Sequence, residues 1–76
     1  MAAKPLTDAQ ARKNIAKNMQ RLIAERDIHR ADVARATGLS KGAIGLYCRA
    51  IAQPSVGAAS RIASFFGVTL DDLLSR

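Results

Sequence analysis

Three cationic side chains between residues 29 and 49 have the type and spacing needed to hold an anion. Arg30 opens a predicted helix, where free backbone N–H groups and the helix dipole already favour a phosphate oxygen. Its guanidinium can hold that phosphate through two contacts. Lys41 and Arg49 stand at the two ends of the next predicted helix. The chemistry that suits this set is phosphate binding.

The residues that position these cations form two short predicted helices around a tight turn. We expect the first helix over residues 30–37 and the second over residues 41–49. Gly38 stands where the backbone must enter the left-handed region, which glycine reaches without steric cost. Ser40 stands where an oxygen is needed to cap the free amides of the next helix. This arrangement predicts a helix-turn-helix, whose second helix usually enters the DNA major groove.

The second of these helices has one apolar face and one nearly bare face. At about 100° per residue, Ile44, Tyr47 and Cys48 point together towards the interior. The opposite face consists of Gly42, Gly45, Leu46 and Arg49, flanked by Lys41. Each glycine costs about 1 kcal/mol relative to alanine, so helix propensity does not explain them, whereas close approach to a large flat surface would. Leu46 either contacts a thymine methyl group or is partly buried against a neighbouring element or a partner subunit.

The composition indicates the fold class and the kind of partner. The 76 residues form one domain, and with 49% hydrophobic but only 4% aromatic residues the interior must be built from aliphatic side chains and alanine. No alternating β-branched run or hairpin turn is present, which favours an all-α bundle. The formal net charge of +6 favours an anionic partner, with nucleic acid as the leading class.

Several functional classes lack the residues that they require. One cysteine permits no internal disulfide, and one cysteine with one histidine makes no metal set, so neither a metal nor another cofactor is expected. Without a carboxylate pair or a nucleophile–base set, an enzyme is not expected. No apolar run approaches a membrane span and the N-terminus lacks the hydrophobic segment of a signal peptide, so we expect a cytoplasmic protein without membrane association.

Three further helices are expected around the central pair. The first covers residues 8–26, capped by Thr7 or Asp8, so that residues 1–7 form a flexible arm and residues 8–76 the DNA-binding domain. Another begins after Ser55 and stops at Gly67, and a short last helix is capped by Thr69. Apolar residues at helical spacing mark the inward faces: Ile15, Met19, Leu22 and Ile23; Val56, Ala59, Ile62, Ala63 and Phe66; Leu70, Leu73 and Leu74.

Four cations of the first helix and the lone histidine each have two interpretations. The helix cations are Arg12, Lys13, Lys17 and Arg21. They form a solvated face, as surface charges usually do, or one or two of them reach phosphate. His29 is a solvated turn residue, or it contributes the pH-dependent chemistry of an imidazole.

Three segments occur in an order and spacing that point to a known family: NMQRLIAERDI, VARATGLSKGAI and PSVGAASRIASFFGVTLDDLL. Residues 18–74, which contain them, resemble the Cro/C1-type (Xre-like) helix-turn-helix family of bacterial and phage transcriptional regulators. The resemblance implies a lambda-repressor-like bundle of five helices that binds double-stranded DNA as a homodimer on a roughly palindromic operator. Base contacts are then expected from Lys41, Gly42, Gly45 and Leu46. Contacts to the DNA backbone are expected from Arg30, Ser40, Ala43 and Arg49.

Two positions depart together from the family pattern. Family members commonly carry an arginine at the position of Ile23 and a glutamate at the position of Cys48, which form a buried ion pair. Exchanging a buried ion pair for packed apolar residues can be neutral or stabilising. We therefore predict that Ile23 contacts Cys48 and that the thiol resists modification.

The loop after the second short helix departs from the family as well. The family often has a glycine and several basic residues there, whereas residues 50–53 carry no charge. Phosphate contacts must then come from Arg49, Lys41, Arg30 and the first helix. Ile51, a hydrophobic residue in an expected loop, is a candidate for a dimer contact.

Three functions are consistent with these features. The leading one is a dimeric repressor that occludes a promoter. The second is a protein-interaction module, such as an antitoxin that binds a partner protein and regulates its own synthesis, favoured by the low polarity of the exposed helix face. The third is the N-terminal domain of a longer repressor.

Overall fold

Five α-helices joined by short turns make up the part of the chain that the computed structural model describes, residues 6–76. They are α1 (Asp8–Arg26), α2 (Arg30–Thr37), α3 (Lys41–Cys48), α4 (Val56–Phe66) and α5 (Leu70–Leu74). No strand occurs within these residues, so the predicted all-α bundle with a central helix-turn-helix is confirmed. Residues 1–5 of the predicted arm lie outside the described residues. None of the described helices is long and apolar enough to cross a membrane.

The helix starts follow from capping residues next to them in the sequence. Four N-cap hydroxyl groups accept the backbone N–H three residues later: Thr7, Ser40, Ser55 and Thr69. In α2 the His29 N–H instead donates to the carboxylate of Asp32 at 2.8 Å. This backbone bond, more than the nearby Arg35, lowers the pKa of Asp32. The observed helix starts therefore agree with the predicted starts to within one residue.

Four residues at or after helix ends adopt a left-handed backbone. Gly38 and Gly67 do so at φ 75° and 70°, as predicted. The other two are not glycines: Asp27 has φ 53° and Ala50 has φ 58°. α3 ends at Cys48, one residue earlier than predicted, and Arg49 is its C-cap. The left-handed conformation costs alanine roughly 1–2 kcal/mol, so the turn at Ala50 is locally unfavourable.

The helices enclose one aliphatic core. α1 packs against α3 and α5, α2 packs against α3 and α4, and α4 also contacts α5. The largest fully buried side chains come from all five helices: Ile15, Met19, Val33, Ile44, Cys48, Ile62, Phe66 and Leu73. The prediction that Val56 belongs to the core is wrong, because this residue is 75% exposed. It lies in the first turn of α4, at the edge of the apolar stripe, where the helix has not yet reached the core.

Two amides of α1 fix the last helix. Asn18 is 3% exposed. Its Nδ2 lies 2.8 Å from the Leu73 carbonyl oxygen and 2.6 Å from that of Ser75. Asn14 donates to the Leu74 carbonyl at 2.9 Å. These bonds satisfy carbonyl groups that the end of a helix leaves without partners, and they hold α5 against the helix that also supports α3.

Candidate nucleic-acid interface

α3 is anchored through one face and leaves the other face bare. Ile44 and Cys48 are 0% exposed, and Tyr47 packs partly buried against the same core. On the opposite side Gly45 is half-buried and Leu46 is 36% exposed. Lys41, Gly42 and Arg49 are exposed. The two faces are therefore oriented as the helical angle predicts.

Neither glycine of α3 is required by the packing of the chain itself. A Cβ atom added at Gly42 or Gly45 would meet no heavy atom within 4 Å beyond its immediate surroundings in the helix. Each glycine nevertheless lowers the stability of the helix by about 1 kcal/mol relative to alanine. A surface outside the described chain that approaches α3 closely would explain both positions.

Arg30 and Lys41 line the same surface hollow beside α3. This hollow lies between the end of α1 and the starts of α2 and α3, and His29 and Ile28 line it as well. The same hollow contains Asp32, whose carboxylate is engaged by the His29 N–H and by Arg35. Two cations thus lie beside helix N-termini that favour a bound anion. His29 itself is exposed at the N-cap position of α2.

The turn between α2 and α3 is closed by its own hydrogen bonds. Ser40 Oγ accepts the Ala43 N–H at 3.0 Å. This bond occupies the Ala43 N–H, so the half-buried Ala43 can offer an approaching surface only its methyl group. The exposed Ser40 hydroxyl group retains its own proton as a donor.

Two side chains donate hydrogen bonds to backbone carbonyl groups near the C-terminal end of α3. Arg49 is exposed, and its Nε donates back to the Gly45 carbonyl at 3.3 Å. Gln20 of α1 donates its amide to the Cys48 carbonyl. The Gln20 contact was not predicted, because a single glutamine within a helix gives no signal in the sequence. It shows which side of α1 faces the end of α3.

Cys48 lies in the core, as predicted. Burial raises the pKa of its thiol, and the nearby Arg30 guanidinium acts in the opposite direction. Ile23 packs partly buried against the same core. The two positions that carry an ion pair in the family therefore both contribute to one apolar cluster. The direct contact between Ile23 and Cys48 stays a prediction.

The loop after α3 exposes hydrophobic side chains. The Ile51 and Ala52 N–H groups both donate to the Leu46 carbonyl, at 3.0 and 3.4 Å, which folds the loop back onto the end of α3. Ile51 is 60% exposed, and Val56, the first residue of α4, is 75% exposed. Residues 50–60 contain no charged side chain. An apolar, uncharged surface therefore adjoins the bare face of α3.

Comparison with known proteins gives one match. A helix-turn-helix family model matches residues 19–73, which include α2, α3 and α4, the C-terminal part of α1 from residue 19 onwards and most of α5. No similar curated protein and no similar solved structure was found. Within residues 6–76 no group of three or more His, Cys, Asp or Glu side chains is placed to hold a metal ion. The match and the bare face of α3 fall on the same part of the chain.

Proposed function

The chain belongs to the Cro/C1-type helix-turn-helix family of DNA-binding transcriptional regulators, and we propose that it is a repressor that binds a palindromic operator as a homodimer. The observation that carries this proposal is the outer face of α3, where two glycines have no packing partner and cations flank the helix. The major groove is about 12 Å wide and admits an α-helix. The repressor acts in the cytoplasm, where it occludes a promoter.

The residues of the site divide into two roles. Lys41 donates to guanine, Leu46 contacts a thymine methyl group, and Gly42 and Gly45 let the helix backbone approach the base edges. Arg30, Ser40 and Arg49 donate to the phosphate backbone. Ala43, whose N–H is occupied by Ser40 Oγ, contacts the backbone only through its methyl group. Phosphate contacts set affinity and register, whereas base contacts set the sequence preference.

Selection of bound sequences from a random pool of duplex DNA tests the proposal first. An inverted repeat with half-sites about 10 base pairs apart, one helical turn, supports a two-fold symmetric dimer. A single unrepeated site would contradict the dimer, and no enrichment at all would contradict sequence-specific binding.

Two substitutions then separate the two roles. Lys41→Ala should lower the preference for the selected operator over random DNA by about 1–3 kcal/mol. Arg30→Ala should weaken binding to both duplexes alike. Arg61→Ala is the control, because it removes one positive charge from a hollow between α2 and α4. Equal losses on both duplexes for Lys41→Ala would show that it does not read bases.

The uncharged surface after α3 supports the dimer. Two copies of a chain with a formal net charge of +6 repel each other, so they meet most easily through a surface without charges. Ile51 and Val56 provide exposed apolar groups there. Ile51→Lys should therefore shift the monomer–dimer equilibrium, measured by analytical ultracentrifugation, towards the monomer. An unchanged equilibrium would place the dimer contact elsewhere.

The same exposed apolar groups favour one alternative, an antitoxin or a related module that binds a partner protein. In that case the protein co-purifies with an equimolar second protein, and Ile51→Lys releases it. Purification from its native host as a homodimer that binds DNA would support the repressor instead.

A further inference from the structure

We propose that Lys13 and Lys17 of α1 bind the DNA phosphate backbone at the C-terminal end of α3. These two residues are called the α1 stripe below. The inference rests on the proposed DNA binding and assigns to it a second cationic region, separate from the hollow that contains Arg30 and Lys41.

The position of the α1 stripe follows from the contact of Gln20 with α3. The Gln20 amide donates to the carbonyl of Cys48, the last residue of α3, so this side of α1 faces that end of the helix. Lys17 and Lys13 precede Gln20 by about one and two helical turns and lie within about 60° of it around the axis. They therefore lie on the side of α1 that carries Gln20, one and two turns from its contact with the end of α3. Both side chains are exposed.

The α1 stripe carries positive charge that no neighbouring carboxylate neutralises. Within residues 6–76 the ion pairs join Arg21 to Glu25 at 3.4 Å and Arg35 to Asp32, and neither includes the stripe. Glu25, the other acidic residue in α1 besides Asp8, is thus engaged by Arg21. Asp8 lies in the first turn and on another side of the helix from Lys13. The two lysines are available to an external anion.

The length of α3 is close to the width of the groove. α3 has eight residues and is about 12 Å long, which is close to the width of the major groove of about 12 Å. Phosphates border both sides of that groove. Lys41 at the start of α3 can face one strand, and the α1 stripe near its C-terminal end can face the other.

The uncharged loop after α3 explains why α1 is needed. Residues 50–60 supply no cation at this end of α3, where Arg49 is exposed and the Arg30 guanidinium lies near the buried Cys48. On DNA of random sequence Lys41 has no selected base to bind and is counted with Arg30 and Arg49 as neutralising phosphate. Three such cations per protomer give a slope of about −5 for log affinity against log salt in a dimer, and five give about −9. The α1 stripe therefore predicts the steeper dependence.

The test measures this slope on a short duplex of random sequence, between about 50 and 200 mM salt. The variants are Lys13→Gln, Lys17→Gln and the double variant Lys13→Gln/Lys17→Gln. Arg61→Gln is the matched control for each single variant, since it removes one exposed charge between α2 and α4. Lys13→Arg/Lys17→Arg keeps the charge and serves as the rescue variant.

Each single variant should reduce the slope of the dimer by about 2, and the double variant should bring it to about −5. Arg61→Gln and the double variant Lys13→Arg/Lys17→Arg should keep the wild-type slope. If the double variant has the same slope as the wild-type protein, the inference is overturned and the proposed DNA binding is not affected. A wild-type protein that binds no duplex even at low salt would instead overturn the proposed function.

Discussion

The junction between α1 and α5 and the outer face of α3 use their residues in opposite ways. At the junction the Asn18 amide is buried and donates to carbonyl groups of the last helix. On α3, Gly42 and Gly45 have no packing partner, and Lys41 forms no ion pair within residues 6–76. The first region satisfies its polar groups inside the chain. The second leaves small and charged groups directed outwards.

This difference separates stability from binding. No buried side-chain nitrogen or oxygen within residues 6–76 lacks a hydrogen-bond partner, so removing a partner at the junction should cost stability. Filling the bare face of α3 should have the opposite effect on stability and should weaken binding. Four sets of substitutions test the comparison, from the largest expected effect to the smallest.

The largest effect is expected at the junction. Asn18→Ala removes the amide that satisfies the carbonyls of Leu73 and Ser75 and should lower the free energy of unfolding by about 2 kcal/mol. Asn14→Ala, which removes one partly buried bond to Leu74, should cost less, about 1 kcal/mol. Urea denaturation measures both. Equal small losses would show that the junction does not depend on the buried amide.

Substitutions on α3 should change the free energy of unfolding in the opposite direction. Gly42→Ala and Gly45→Ala should each raise the free energy of unfolding by about 1 kcal/mol, because alanine is the better helix former and no other part of the chain blocks a Cβ there. Affinity for duplex DNA should fall in both variants, since the helix backbone can no longer approach as closely. Gains in stability with unchanged affinity would contradict the major-groove role of this face.

A substitution in the turn after α3 should raise stability and leave the residues of the proposed base contacts unchanged. Ala50→Gly should raise the free energy of unfolding by up to about 1 kcal/mol, because glycine adopts the left-handed backbone at no steric cost. Ala52→Gly is the control, since its φ is not positive and glycine only increases the freedom of the unfolded chain. In thermal unfolding the Tm of Ala50→Gly should rise and the Tm of Ala52→Gly should fall.

The smallest effect concerns pH and the cap of α5. The Asp72 carboxylate accepts the Thr69 N–H at 3.1 Å, and this bond lowers its pKa. A lowered pKa adds stability that is present above the value for an unfolded chain, about 3.9, and is lost as the pH falls through the folded value. Asp72→Asn should reduce this acid dependence. Asp71→Asn, a neighbour without that bond, should leave it in place, and equal acid profiles for both variants would contradict the assignment.

Helix boundaries were predictable because the signals are local. Ser40, Gly67 and Thr69 act on residues within one helical turn, and the structure confirms their roles. The inward face of α3 was predictable for the same reason, since it depends on periodicity alone. Val56 shows the limit, because periodicity does not tell where along α4 the core begins.

Contacts between helices were not predictable in this way. The bonds of Asn18 to α5 and of Gln20 to α3 join residues far apart in the chain, and an asparagine or glutamine in a helix has no distinctive spacing. The left-handed φ of Ala50 was also missed, because an alanine gives no sign of a position where glycine would be favoured.

The sequence by itself determined the five helices, the faces of α3 and the positive charge of the chain, because caps, periodicity and composition act over short distances. Only the tertiary structure decided that Arg30 and Lys41 share a hollow and that the side of α1 carrying Gln20 meets the end of α3. The crossing of the helices depends on how all their apolar faces pack together. That crossing decides which of the many cations stand beside α3.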